Sequence, residues 1–191
     1  MSLVLASASA RRRELLAAAG FAFDVIAADI DEQIRAGEAP EDYARRMAIE
    51  KAGAVRARSG ARTVVAADTI VVIDGDVLGK PCDDAEAVRM LTRLSGERHE
   101  VFTAVAVWWP DAAAPMVAIE RTSVWMRVIA PDEIAAAVAS GEPRDKAGAY
   151  AIQGFASRWV TRLEGAYDTV VGLPVSTVDR MLRHRVSGAY P

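Results

Sequence analysis

The stretch Thr63–Ile73, TVVAADTIVVI, constrains the fold of this chain more than any other. It is an apolar, β-rich run with one charge, Asp68, at its middle. Valine, isoleucine and threonine suit a pleated, half-buried surface, so the run reads as a strand. A carboxylate inside it is costly to bury unless something pairs with it. Asp68 is therefore the sharpest single candidate for chemistry: a metal ligand, a general base or the cap of a bulge. Directly after the run, Asp74-Gly75 reads as a tight hairpin turn.

Around this strand the pattern alternates. Further strands are expected at residues 3–6, 21–27, 101–109, 117–129, 159–163 and 167–171, and helices at 10–19, 40–57, 84–94, 131–140 and 174–185. Ser9 and Asp83 suit N-caps, Pro40, Pro131 and Pro174 suit first turns, and Gly20, Gly96 and Gly141 suit helix ends. Pro110 and a small-residue loop join the two long strands as an antiparallel pair. The sum is an α/β protein with a mixed twisted sheet flanked by helices. There is no repeat, low-complexity tract or long linker, and 191 residues suit one domain, 1–191, whose second lobe comes from the middle of the chain.

Composition excludes several classes. With 52% hydrophobic and 26% charged residues, the chain supports a core and is not disordered. A net charge of −3 argues against a nucleic-acid backbone as partner. The basic residues are locally clustered, which suits a small anion. Cys82 is the only cysteine, so no internal disulfide forms, and a small, partly buried side chain is the expectation for it. No apolar run reaches the ~18 residues that span a bilayer, and the charges follow the first apolar stretch instead of preceding it. The expectation is a soluble, cytoplasmic protein without a membrane partner.

The N-terminal stretch LASASARRREL, residues 5–15, runs a short strand into a helix start that carries three arginines. Cations sit poorly against the positive end of a helix dipole. An anion there gains from the unpaired N–H groups. Ser7 and Ser9 add hydroxyls, and Arg11 and Arg12 add planar forks that match phosphate oxygens. The alternative is a serine-capped surface helix with solvated arginines. The stretch is not a Walker P-loop.

Other candidates are less specific. Asp29, Asp31 and Glu32 form an acidic loop that is either solvated or, with Asp68 and phosphate oxygens, a set of ligands for Mg²⁺ or Mn²⁺. One cysteine and two scattered histidines, His99 and His184, make no zinc pattern. His99 reads as a turn residue, and His184 as a solvated residue at a helix end. Lys51, on a helix, and Lys80, before Pro81, read locally as surface charges. Gln153, in the glycine-bounded loop GAYAIQG, either reads a base edge or satisfies the loop backbone. Of the adjacent Trp108 and Trp109, one faces each side of the sheet. An exposed one would mark an oligomer contact; the alternative is a core role for both.

These stretches, in order, resemble the Maf family of nucleoside triphosphate pyrophosphatases over nearly the whole length. LASASARRRELL is similar to the family's Ser-x-Ser-Pro-Arg-Arg start, with Ala10 in place of the proline. AADTIVVIDGDVLGKP, LSGERHEVFTAV, DKAGAYAIQG and VVGLPV follow in matching sequence. The resemblance implies a Maf/ITPase-like fold of two lobes with the active-site cleft between them. It implies hydrolysis of a nucleoside triphosphate to the monophosphate and pyrophosphate with a divalent metal, Mg²⁺ or Mn²⁺, and a homodimer. Ser7, Arg11 and Arg12 would hold the triphosphate, and Lys51 and Lys80 would add charge around it. Glu32 would help place the metal, and Asp68 would be the acid at the reaction centre.

Three places are similar to the subgroup that prefers dTTP and UTP: the Arg11-Arg12 pair, Thr69 after Asp68, and Gln153 where the 7-methyl-GTP subgroup tends to have glutamate. A neutral amide can donate to a pyrimidine carbonyl. The expected substrates are dTTP, UTP and modified pyrimidine nucleotides. The alternatives are a pyrophosphatase for 7-methyl-GTP or another non-standard nucleotide, and a nucleotide-binding regulator of cell division with little turnover.

Overall fold

The computed structural model describes residues 2–187. The chain divides into two compact units. The first takes the residues up to Asp68, Thr103–Glu120 and those from Gly172 onward; the second takes Thr69–Phe102 and Arg121–Val171.

In the first unit, β1 (Leu3–Leu5) pairs in parallel with β2 (Phe23–Val25) and with the start of β3 (Thr63–Ile73). Parallel neighbours need crossovers. Helix α1 (Ala10–Ala18) and helix α2 (Pro40–Ser59) supply them. Successive side chains of β1 point to opposite faces, yet Leu3, Val4 and Leu5 are all buried, so both faces of this strand are covered. One face packs Leu3, Leu5, Leu16 and Val65 with Val178 and Met181. The last two lie on α6 (Val175–Ser187), one helical turn apart.

In the second unit, β3 continues into a hairpin with β4 (Asp76–Leu78), in register at Ile73↔Asp76. Asp74 and Gly75 both have positive φ, +52° and +84°, as a type I′ turn requires. The side chain of Asp83 caps α3 (Asp84–Leu94), accepting the Glu86 N–H at 2.6 Å. Two strands of eleven residues each, β5 (Arg98–Trp108) and β6 (Met116–Met126), are shared: residues 98–102 and 121–126 belong to the second unit, and residues 103–108 and 116–120 to the first. They are neighbours, and the connection between them is too short for a crossover, so they run antiparallel. Helix α4 (Pro131–Ala139) follows, and β7 (Val160–Glu164) pairs antiparallel with β6. The strand order is β2-β1-β3-β5-β6-β7, with β4 on β3. The sheet is mixed and the fold is α/β, as expected.

Three expectations are corrected here. Residues 167–171 form a helix, α5 (Tyr167–Val171), instead of a strand. Its β-branched residues mislead because Gly165 and Gly172, both at positive φ, turn the chain on either side of it. Thr122 Oγ1 also donates to the Ala166 carbonyl at 2.9 Å and fixes the first of these turns. His99 is not in a turn, since β5 begins at Arg98 and buries it. Cys82 is exposed. For the tryptophans the structure takes the alternative of a core role: Trp109 is buried, and Trp108 is half-buried beneath the Arg56 guanidinium, 5.1 Å from its ring centre. Among the described residues no helix is long and apolar enough to cross a membrane.

Candidate active site

The turn from β1 into α1 is built by its serines. Ser9 caps α1, accepting the Arg12 N–H at 3.4 Å. Ser7 is buried, and its Oγ accepts the Ser9 N–H at 3.1 Å. No acidic residue lies in the first turn of α1 to answer its dipole. Arg12 folds back into the protein. Its Nε donates to the Gly172 carbonyl at 2.8 Å, and its Nη1 reaches Ser7 Oγ at 3.4 Å. Burial pulls the Arg12 pKa below the ordinary arginine value; Asp68 opposes this, Arg11 adds to it, and Glu32 again opposes it. The guanidinium therefore feels both candidate acids and its neighbouring arginine at once.

Asp68 is the last residue of β3 in the first unit. It is 7% exposed, and its partner is Lys51, 8% exposed. Lys51 is thus not the surface charge its local pattern suggested. On α2, Ala44, Met47, Ala48, Lys51, Ala52 and Val55 form one buried stripe at helical spacing, with Lys51 its only charged member. The Lys51 ammonium donates to Asp68 Oδ1 at 2.6 Å and lies 2.8 Å from Glu32 Oε1. A buried charge is tolerated where it is paired and hydrogen-bonded, and this ammonium has one hydrogen bond and two ion pairs to carboxylates.

Glu32 is on the loop between β2 and α2, and side chains of α2 shape that loop. Tyr43 Oη donates to the Glu32 carbonyl at 2.6 Å. Arg46 grips both carboxylate oxygens of Glu38 at 2.6 Å and reaches the Gln33 carbonyl at 3.0 Å. The Arg46 hydrogen bonds hold the Glu38 carboxyl down at about 2. Burial pushes the Tyr43 phenol up to about 12, and the negative charges of Asp68 and Glu32 add to this. Tyr43 and Arg46 were not among the sequence candidates. Their signal was spacing, since positions 43, 46, 50 and 51 share one side of a helix. Of the three loop acids, Glu32 is the one brought to Lys51; Asp31 instead accepts the Gln33 N–H at 3.1 Å.

The donor chemistry suits a hard divalent ion. Asp68 and Glu32 each set one carboxylate oxygen against Lys51 Nζ, so two hard oxygen donors are brought to one place. Among the described residues no three His, Cys, Asp or Glu side chains gather to hold a metal alone. Two carboxylates suffice for Mg²⁺ or Mn²⁺, because such ions keep water and take phosphate oxygens as further ligands.

The other sequence candidates lie in the second unit. Thr69 follows Asp68 on β3, half-buried and facing the opposite side of the strand. Lys80 is exposed after β4, and Gln153 is exposed in the 148–154 loop.

The family model described as Maf-like protein matches residues 2–185. The chain is similar to the dTTP/UTP pyrophosphatase of Geobacter sulfurreducens, 52% identical over 181 residues that cover 95% of each chain. The dTTP/UTP pyrophosphatase of Geobacter metallireducens is 51% identical over 181 residues, covering 95% of this chain and 94% of the relative. That of Koribacter versatilis is 51% identical over 183 residues, covering 96% and 94%.

Proposed function

The chain belongs to the Maf family, and from that premise we propose that it hydrolyses nucleoside triphosphates to the monophosphate and pyrophosphate. Its preferred substrates in this reading are dTTP, UTP and modified pyrimidine nucleotides. The relatives named dTTP/UTP pyrophosphatase, about half identical over nearly the full length, support the substrate class. The observation that carries the chemistry is the buried Lys51 shared by Asp68 and Glu32, with Arg12 close enough to feel both acids.

The roles are those that the family resemblance implies, and the charge of each residue supports them. Ser7, Arg11 and Arg12 hold the triphosphate at the start of α1, where the substrate supplies the negative charge that the first turn lacks. Lys51 and Lys80 add positive charge along the phosphates. Water attacks the α-phosphorus in line and pyrophosphate leaves. Asp68 takes the proton from that water, and Lys51 steadies its carboxylate. Asp68 and Glu32 would hold a divalent metal ion, Mg²⁺ or Mn²⁺, whose chemistry is to neutralise charge on the phosphate oxygens. Gln153 selects the base through an amide N–H given to a pyrimidine carbonyl, and Thr69, which follows Asp68 in the chain, is a second residue of the substrate site. The proposal extends to a cytoplasmic homodimer that acts on free nucleotides, not on nucleic acid or membranes.

The test is pyrophosphate release from dTTP, UTP, CTP, 5-methyl-UTP, GTP, ITP and 7-methyl-GTP with Mg²⁺ or Mn²⁺. The expected result is fastest release from dTTP and UTP with the monophosphate as co-product. Release from 7-methyl-GTP alone would overturn the base assignment, and no release from any would favour a regulator that binds nucleotides.

A further inference from the structure

Gln153 is an exposed side chain on a loop that is otherwise fastened. Tyr150, Ala151, Ile152 and Ala156 around it are buried. The Gly154 N–H donates to the Ala151 carbonyl at 3.0 Å, which closes a turn with Ile152 and Gln153 at its centre. Ala149, a residue with a side chain, is held at φ +60°, a conformation such residues rarely adopt without outside restraint.

Three attachments supply that restraint. The Gly148 N–H donates to the Gly79 carbonyl at 3.0 Å, next to Lys80. Gly148 has φ +66°, and a Cβ there would come 2.9 Å from the Val71 side chain. Tyr150 Oη and His99 Nε2 share a hydrogen bond of 2.8 Å, with the two rings edge to face at 5.5 Å. Both residues are buried, so neither polar group has water as an alternative. On the other side of Gln153, the Glu142 carboxylate accepts the Phe155 N–H at 3.1 Å and 3.4 Å through its two oxygens. That carboxylate lies so close to Gly154 that a Cβ there would overlap it.

We propose that Tyr150, through its hydrogen bond to His99, and Glu142, through the Phe155 N–H, are positioning residues that fix the turn from which Gln153 is presented for base discrimination. This rests on the reading of Gln153 as the base-selecting residue. The O4 carbonyl of uracil and thymine accepts a hydrogen bond where cytosine presents an amino donor. An amide presented from a fixed turn discriminates between them better than one on a mobile loop, because less freedom is lost on binding and fewer poses offer its other end.

The experiment measures kcat and KM for dTTP and CTP in six proteins: wild type, Gln153→Ala, Tyr150→Phe, Glu142→Ala, Glu142→Gln, and Tyr150→Phe with Gln153→Ala. Gln153→Ala should lower the preference for dTTP by about tenfold or more. Tyr150→Phe and Glu142→Ala should each lower it roughly 3- to 10-fold, more through KM than through kcat. Glu142→Gln keeps an acceptor oxygen and should restore most of the preference. In the double variant the tyrosine change should add nothing to the loss from Gln153→Ala. An unchanged preference in Gln153→Ala would remove the base-selecting role of Gln153, and the proposal with it. Positioning alone is overturned if Gln153→Ala lowers the preference while Tyr150→Phe and Glu142→Ala do not, or if the tyrosine effect persists without Gln153. Should Tyr150→Phe fail to fold, the Glu142 pair decides in the same way.

Discussion

Lys51 and Asp68 are opposite charges in an interior that neither would occupy alone. Removing one partner of such a pair strands the other in a poor solvent for ions. Lys51→Met keeps the length of the side chain and suits the apolar stripe of α2, but leaves Asp68 buried without its cation. It should lower stability by about 3 kcal/mol in urea titration. Combining it with Asp68→Asn should recover part of that loss, since both charges are then gone. A Lys51→Met protein as stable as wild type would mean that the ammonium does not pair with Asp68. Asp68→Asn alone tests chemistry: kcat for dTTP should fall at least ~10²-fold, the scale of removing a key electrostatic group. Near-normal turnover would take Asp68 out of the mechanism. At this scale Asp68 was legible, because one acid in TVVAADTIVVI demands a partner. Lys51 read as a surface lysine because its immediate neighbours are unremarkable. Its burial shows only when positions 44, 47, 48, 51, 52 and 55 are read together as a helical face.

The start of β5 carries a pH dependence. Burial pushes the His99 imidazole from 6.5 down to about 4, so it is neutral in the folded protein at pH 7. In the unfolded chain it takes a proton near 6.5, so between these values the unfolded state binds more protons. Stability should therefore be full above pH 6.5, decline as pH falls, and lose about 3 kcal/mol from this group near pH 4. Urea midpoints at pH 7, 5.5 and 4.5 check this against His99→Gln, which should show a flatter profile. The carboxyls of Glu38, gripped by Arg46, and of Glu133, gripped by Arg127, are held at about 2 and act only below their ordinary 4.5, so they leave the upper window to His99. Equal slopes in the two proteins would contradict the assignment. Helices with local punctuation were legible at this scale: Ser9 and Asp83 cap where expected, and the Asp74-Gly75 hairpin is present. The segment at 167–171 was not, since its β propensity lost to the turns at Gly165 and Gly172. His99 was missed because its hydrogen-bond partner, Tyr150, is remote in sequence.

Across the molecule, the α/β class and mixed sheet follow from alternating strand and helix signals, and the ordered motifs from Ser7 to the VVGLPV stretch point to the family. Long-range partners were not legible, because spacing along a chain does not say which loop returns to which helix. The Arg46 grip on Glu38 and the Arg12 bond to Gly172 are of this kind. The central claim is that water attacks the α-phosphorus of a pyrimidine nucleoside triphosphate. Turnover of dTTP in ¹⁸O-labelled water, with mass analysis of both products, tests it directly. The label should appear in dTMP and be absent from pyrophosphate. Label in pyrophosphate or inorganic phosphate, or no turnover at all, would contradict it.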